Sequence, residues 1–141
     1  MTGTGRAPFA GVLETCLYHD AGDAEEVEAF YSQLLGLPLV SRWPGGMGFR
    51  IGDGMLLLFD RAELAGREGP IAAHGSFGPG HACLVTKTRE QYDDWKRRLA
   101  EVGVELTHEH RWGDERLSVY FHDPAGNLLE IADGDLWPNA S

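Results

Sequence analysis

The sequence predicts an α+β fold in which one β-α-β-β-β unit is written twice. Two amphipathic helical stripes end at comparable glycines, and each is preceded by one short apolar strand and followed by three. Glu14 to Gly36 spans the same distance as His81 to Gly103, with Cys16 matching Cys83. The chain also closes its second unit on a β-hairpin, SVYFHDPAGNLLE at 118–130. An internal repeat of this length decides the architecture, because each unit is one supersecondary block.

Residues 1–10 lack periodicity and read as a flexible tail, as do 134–141. The first module is expected over 11–60. Gly11 to Tyr18 is a strand with Leu13, Thr15 and Leu17 on one face and Glu14, Cys16 and Tyr18 on the other. Asp23 with Glu26 forms a capping-box pattern. Val27, Phe30, Tyr31, Leu34 and Leu35 then mark a helical stripe that stops at Gly36. Strands follow at Leu37–Trp43, Met47–Ile51 and Met55–Phe59, separated by glycine-rich turns. Residues 61–79, rich in Ala, Gly, Pro and charge, read as a connector.

The second module is expected over 80–133, the whole chain being a single domain. His81–Val85 is a strand, and Thr88 with Gln91 repeats the capping pattern. Tyr92, Trp95, Leu99 and Val102 form a stripe ending at Gly103. Strands at Val104–His110, Leu117–Phe121 and Leu128–Ala132 complete it. Asp123-Pro-Ala-Gly-Asn127 is a tight turn, Pro124 presetting φ and Gly126 with Asn127 tolerating positive φ.

The chain holds 22 acidic and 12 basic residues, a formal net charge of −10. That argues against nucleic acid or an anionic membrane as partner and favours a cationic ligand or simple solubility. No apolar run is long enough to span a membrane, and no signal peptide is visible. Two cysteines do not suggest a disulfide scaffold, so a cytoplasmic setting is expected. Glycine-rich phosphate loops, a Ser-His-Asp order and a CxxC pair are missing from the sequence.

The segments EAFYSQLLGLPLV at 28–40, GHACLV at 80–85 and YFHDPAGNLLEI at 120–131 resemble the vicinal oxygen chelate superfamily of glyoxalase, bleomycin-resistance and dioxygenase-like proteins. The resemblance covers roughly 11–133. It implies a curled eight-stranded mixed sheet around a cavity, with the helices on its outer face, and a homodimer whose sites can be completed across subunits. Alternation agrees with that picture. Leu13, Leu17, Ala82, Leu84, Val119, Phe121, Leu129 and Ile131 would face the helices. Glu14, Cys16, Tyr18, His81, Cys83, Ser118, Tyr120 and Glu130 would face inward, apolar outside and polar converging inside.

Carried over by position, the resemblance places metal ligands at His81 and Glu130, with Glu14 where a first-strand histidine often stands. The fourth place, found by matching Gly54 to Gly126, falls on Leu58, which cannot ligate. A Glu14–His81–Glu130 triad suits Mn, Fe, Zn, Ni or Co. A one-residue shift would instead turn Thr15 inward. Glu14 and Glu130 are also the catalytic candidates, as carboxylates able to move a proton.

Cys16, Trp43, Phe49, Arg50 and Tyr120 are the substrate-binding candidates, with Met47 and Trp112 as further wall residues. Strand aromatics also commonly belong to the core, and Arg50 suits the surface as well as a substrate anion. His74 would line a lid over the connector. His19, His108, His110 and His122 read as solvent-facing or strand-end residues. Two functions follow: a metal-dependent lyase, isomerase or dioxygenase acting on a small oxygen-rich substrate by bidentate chelation, or a metal-free protein that sequesters a small molecule. A complete ligand triad argues for the enzyme; a metal-free cavity, in which His81 and Glu130 hydrogen-bond each other or a ligand, argues for sequestration.

Overall fold

The computed structural model describes residues 8–138. The first module runs β1 (Glu14–His19), α1 (Ala24–Ala29), β2 (Leu39–Trp43), β3 (Gly46–Ile51) and β4 (Gly54–Asp60). A short α2 (Arg61–Ala65) follows. The second module runs β5 (His81–Val85), α3 (Arg89–Glu101), β6 (His108–Trp112), β7 (Arg116–His122) and β8 (Leu128–Ala132). The strands form two four-stranded mixed sheets, ordered β1-β4-β3-β2 and β5-β8-β7-β6. In each, the first strand runs parallel to the fourth and the other pairings are antiparallel. The eight strands therefore stand as two open sheets, not closed into a barrel.

The apolar stripes do what their spacing requires. Val27, Phe30, Tyr31 and Leu35 from the first helix are buried against Leu17, Met47, Phe49, Leu56 and Leu58 of the first sheet. Tyr92 and Leu99 of α3 and Val119, Phe121, Leu129 and Ile131 of the second sheet join the same core. One continuous core thus serves both modules. Burial of each large side chain stabilises by about 1.5–3 kcal/mol relative to exposure. The first helix widens into a π turn over Phe30–Leu34, where the Leu35 amide donates to the Phe30 carbonyl at 3.0 Å, and it ends at Gly36 with φ of 73°.

Several boundaries differ from the sequence reading. Asp23 makes no side-chain cap; it adopts helical φ/ψ, and its carbonyl instead accepts from the Val27 amide at 2.9 Å. Thr88 does cap α3, its hydroxyl accepting from the Gln91 amide at 3.1 Å. The connector contains α2, capped by Asp60, whose Oδ1 accepts from the amides of Ala62 and Glu63. Leu13 precedes β1 and is exposed, as is Val102. Val104 and Leu106 pack on the core as loop residues, and pairing with β7 starts only at His108.

The turn at 123–127 is a junction between modules as well as a local reversal. Gly126 takes φ of 89°, while Asn127 stays in the ordinary region. Asp123 Oδ1 accepts from the amides of Ala125 and Asn127 at 2.9 and 2.8 Å. The buried Asn127 amide nitrogen donates to the Tyr18 carbonyl at the end of β1 (2.9 Å) and to Asp123 Oδ2 (3.0 Å). Its Oδ1 accepts from the Gly80 amide at the start of β5 (2.9 Å). Tyr31 of the first helix donates its hydroxyl to Asp123 Oδ2 at 2.7 Å. Two side chains of the second module thereby fix a strand and a helix of the first.

Candidate functional site

Each sheet has one face on the core and one open face, and strand pairing assigns the side chains. Cys83, Glu130, Tyr120 and His108 form one cross-strand row on the second sheet. The neighbouring row carries Ser118 and His110, and His81 stands on the other side. On the first sheet Glu14 pairs with Met55 as His81 pairs with Leu128, so the two positions are equivalent. Thr15 lies in phase with the buried Leu17, which puts Glu14, Cys16 and Tyr18 on the open face. The Glu130 position corresponds to Leu57, the partner of Cys16, and not to Leu58, which is buried in the core opposite Leu17. Leucine cannot ligate in either register.

The chemistry concentrates at Glu130. It is buried, and among the described residues its Oε2 has no hydrogen-bond partner. Its Oε1 lies 3.2 Å from His81 Nε2. His81 Nδ1 lies 2.9 Å from the Leu128 carbonyl, which can only accept, so Nδ1 carries a proton. In the neutral ring Nε2 is then a lone pair aimed at a carboxylate. Two acceptors hold that separation only if a positive centre lies with them: a proton on Nε2 or a cation. The Nδ1 bond to a backbone carbonyl is also the arrangement that orients metal-ligating histidines. His81 and Glu130 therefore fit a divalent cation as two ligands.

The surroundings respond to that carboxylate. Partial desolvation, and then the nearby Glu130, push the Cys83 thiol up to about 12, although the residue keeps an exposed surface on this face. The same two causes raise the Tyr120 hydroxyl above its ordinary value, leaving it a donor at neutral pH. Among the described residues no three His, Cys, Asp or Glu side chains come together as a ligand group. The expected Glu14–His81–Glu130 triad is thus not assembled within one chain: Glu14 belongs to the other sheet.

The first sheet's open face is aromatic. Tyr18 and Phe59 stack at 6.3 Å, and Trp43 meets Phe59 edge-on at 5.7 Å. The connector folds over them: His74 hydrogen-bonds the Tyr18 hydroxyl and packs against Phe59. Arg61 and Arg67 cover the Tyr18 and Phe59 rings at 6.0 and 5.9 Å. Trp43 lies against Gly46, where a Cβ would come within 2.3 Å of its ring. Cys16 borders this cluster, and burial raises its thiol pKa, with Glu14 adding to the effect. Arg50 is exposed on the same face opposite Met55.

Phe49 and Met47 do not line this face. They alternate with Arg50 and Gly48, are buried, and belong to the helix-side core, where Phe49 packs 5.5 Å from Tyr31. His19 ends β1, the strand-end place expected of it, and is buried there, its ring bonded to the Asp20 carbonyl at 2.9 Å. His122 is exposed at its strand end.

His108 and His110 are exposed on β6, as the sequence reading expects. Both stand on the open face of β6, with Nε2 of one 3.3 Å from Nδ1 of the other. His108 packs 6.0 Å from Tyr120, and His81 lies 6.4 Å from the same ring. Trp112 continues the row, 4.4 Å from His110 and held by its indole donating to Ser118 Oγ at 2.9 Å. A groove of about 570 Å³ is lined by both modules, mainly by apolar residues including Ile51, Met55, Ala82 and Leu84, and reaches Cys83, the cross-strand partner of Glu130.

Two open four-stranded sheets from repeated βαβββ units, with a His–Glu pair on the open face of the second, define the class of fold. The model of the Glyoxalase/Bleomycin resistance protein/Dioxygenase superfamily matches residues 21–131, and the chain belongs to that family. A lactoylglutathione lyase structure from Agrobacterium tumefaciens superposes with a TM-score of 0.86 at 39% identity, over 94% of this chain and 100% of that one. Glutathione transferase FosA of Serratia marcescens is 29% identical over 116 residues, 81% of this chain and 75% of its own length. A family protein structure from Nocardioides, at 23% identity, TM-score 0.69 and coverage of 91% and 85%, shares the fold. No helix among the described residues is long and apolar enough to cross a membrane.

Proposed function

We propose that the protein is a divalent-metal-dependent enzyme acting on a small oxygen-rich substrate chelated through two oxygens. The observation that carries this is the buried Glu130 carboxylate, with one oxygen facing the His81 Nε2 lone pair and the other without a protein partner. His81 Nε2 and Glu130 would hold the metal. When bound, it supplies Lewis-acid polarisation of the substrate oxygens. Mn, Fe, Zn, Ni and Co all suit imidazole with carboxylates.

This chain's residues supply the rest. The Tyr120 hydroxyl, kept protonated beside Glu130, donates to a substrate oxygen. Glu14 is the third ligand and a proton carrier in this reading, presented by a second copy of the chain. Its sheet position equivalent to His81 supports that assignment, because a two-fold pairing of open faces would set the first sheet of one copy against the second sheet of the other. The two relatives named for lactoylglutathione lyase and glutathione transfer support a thiol-conjugate substrate. Arg61 and Arg67 over the aromatic faces of Tyr18 and Phe59 weigh against sequestration of a cationic drug there.

Complementation tests the reading. E14Q and H81Q homodimers should each lose metal by inductively coupled plasma mass spectrometry. Heterodimers of the two should regain one metal per two chains, since one of their two sites is intact. Metal retained in H81Q, or no recovery in the heterodimer, overturns it.

A further inference from the structure

Away from Glu130, one pair of open-face side chains has the geometry of a ligand set. His108 and His110 are i and i+2 on β6, so both rings stand on the same side of the strand. Nε2 of His108 lies 3.3 Å from Nδ1 of His110, at the long end of hydrogen-bond distances. Each ring has a second contact that orients it. His108 packs 6.0 Å from the Tyr120 ring, and His110 packs 4.4 Å from Trp112, whose indole is held by Ser118. Among the described residues the two rings hydrogen-bond only to each other. Their cross-strand partners are Tyr120 and Ser118, so no carboxylate stands directly opposite either ring. Glu109, between them in sequence, points to the other face, where it accepts from Tyr92 and pairs with Lys96. Both imidazoles are exposed and can be reached from solvent.

We infer that His108 and His110 form a peripheral zinc site, filled in place of the proton the two rings share. The ion needs two lone pairs, which face each other when His108 carries its proton on Nδ1 and His110 on Nε2. Two Zn–N bonds of about 2.05 Å spanning the 3.3 Å gap meet at about 107°, close to the tetrahedral angle that zinc takes. Square-planar copper, at about 90°, would need the nitrogens about 2.9 Å apart. A small turn of each exposed ring about its Cβ–Cγ bond aims the lone pairs at the ion. Water completes the shell, because among the described residues no third His, Cys, Asp or Glu joins the pair. Glu130, Tyr120 and His108 are successive partners on β8, β7 and β6. With strands about 4.8 Å apart, the pair stands about 10 Å from the Glu130 position, too far to share one ion with it. Two protein ligands hold zinc with a dissociation constant of about 1–100 µM, so this ion leaves on gel filtration and returns when free zinc rises. The net charge of −10 favours the cation's approach.

The test titrates zinc into the gel-filtered full chain, followed by calorimetry and by nitrogen-15 spectra of the histidine rings. In the wild type, zinc should shift His108 Nε2 and His110 Nδ1 and leave the exposed ring of His122 in place. His108→Gln and His110→Gln, each alone, should weaken this event about tenfold. Neither should change the metal that the protein carries through purification. H81Q should keep the weak event, which sets it apart from the Glu130 centre. Two separate single variants with unchanged far-ultraviolet dichroism distinguish ligand loss from misfolding. No weak event in the wild type, an event unaltered in both variants, or shifts at other histidines instead would overturn the site. Loss of the tightly held metal in either variant overturns it too, because the pair would then belong to the Glu130 centre.

Discussion

Asn127→Ala tests whether the turn at 123–127 joins the two modules. The side chain is 1% exposed and makes three hydrogen bonds, to the Tyr18 carbonyl, to Asp123 Oδ2 and from the Gly80 amide. At about 1 kcal/mol net for each, the truncation should cost about 3 kcal/mol. That is a large part of the about 5–15 kcal/mol that holds a domain folded, and a drop in melting temperature of about 10 °C. Asn127→Asp is the sharper variant. It preserves shape and the acceptor for Gly80, but it sets oxygen where nitrogen now donates to Asp123 Oδ2 at 3.0 Å. Two carboxylates at that separation repel by about 5 kcal/mol at an effective dielectric of 20. Urea denaturation at pH 7, compared at equal slope, should therefore rank wild type above Asn127→Ala and Asn127→Ala above Asn127→Asp. A cost below about 1 kcal/mol for alanine, or an aspartate variant more stable than the alanine one, would refute the junction.

Tyr31→Phe should cost about 1.5–3 kcal/mol in the same assay, because it removes one of the four donors to buried Asp123, the Tyr31 hydroxyl at 2.7 Å. Phe49→Ala should cost about 3–5 kcal/mol while leaving metal content intact, since the ring belongs to the core. Cys83, with its thiol pushed up to about 12, should alkylate slowly with iodoacetamide in a Cys16→Ser background. Its rate should climb about tenfold per pH unit between pH 7 and 10, as the thiolate fraction does. Glu130→Gln removes one of the raising causes, so alkylation of the exposed Cys83 at pH 8 should speed up.

Much of the fold was legible because its elements are self-consistent. The i, i+3, i+4 spacing of Val27, Phe30 and Tyr31 sets one helical stripe on the core, and Leu129 and Ile131 of β8 face the same core on either side of Glu130. The site was half legible. His81 and Glu130 fall on one face, and the structure adds the 3.2 Å approach that makes them a pair. Phe49 was misplaced because β3 puts Gly46 and Gly48 on its open face, and glycine gives no sign of which face is which. The third strand of the second module was started too early: Val104 and Leu106 pack on the core as loop residues, and β6 pairs only from His108. The Leu57 and Leu58 confusion is a slip of one residue, which reverses every side chain.

The junction at Asp123 and Asn127 has a consequence for how such a chain can be cut and recombined. The bonds that register the two modules reach the end of β1, the first helix and the start of β5, and leave residues 61–79 uninvolved. A nick within the connector should leave two fragments that re-dock by the same bonds. A chimera that swaps whole second modules between relatives brings its own clasp. A crossover inside the 123–127 turn would separate the clasp from the amides that shape it, and such a hybrid should assemble neither parent's interface.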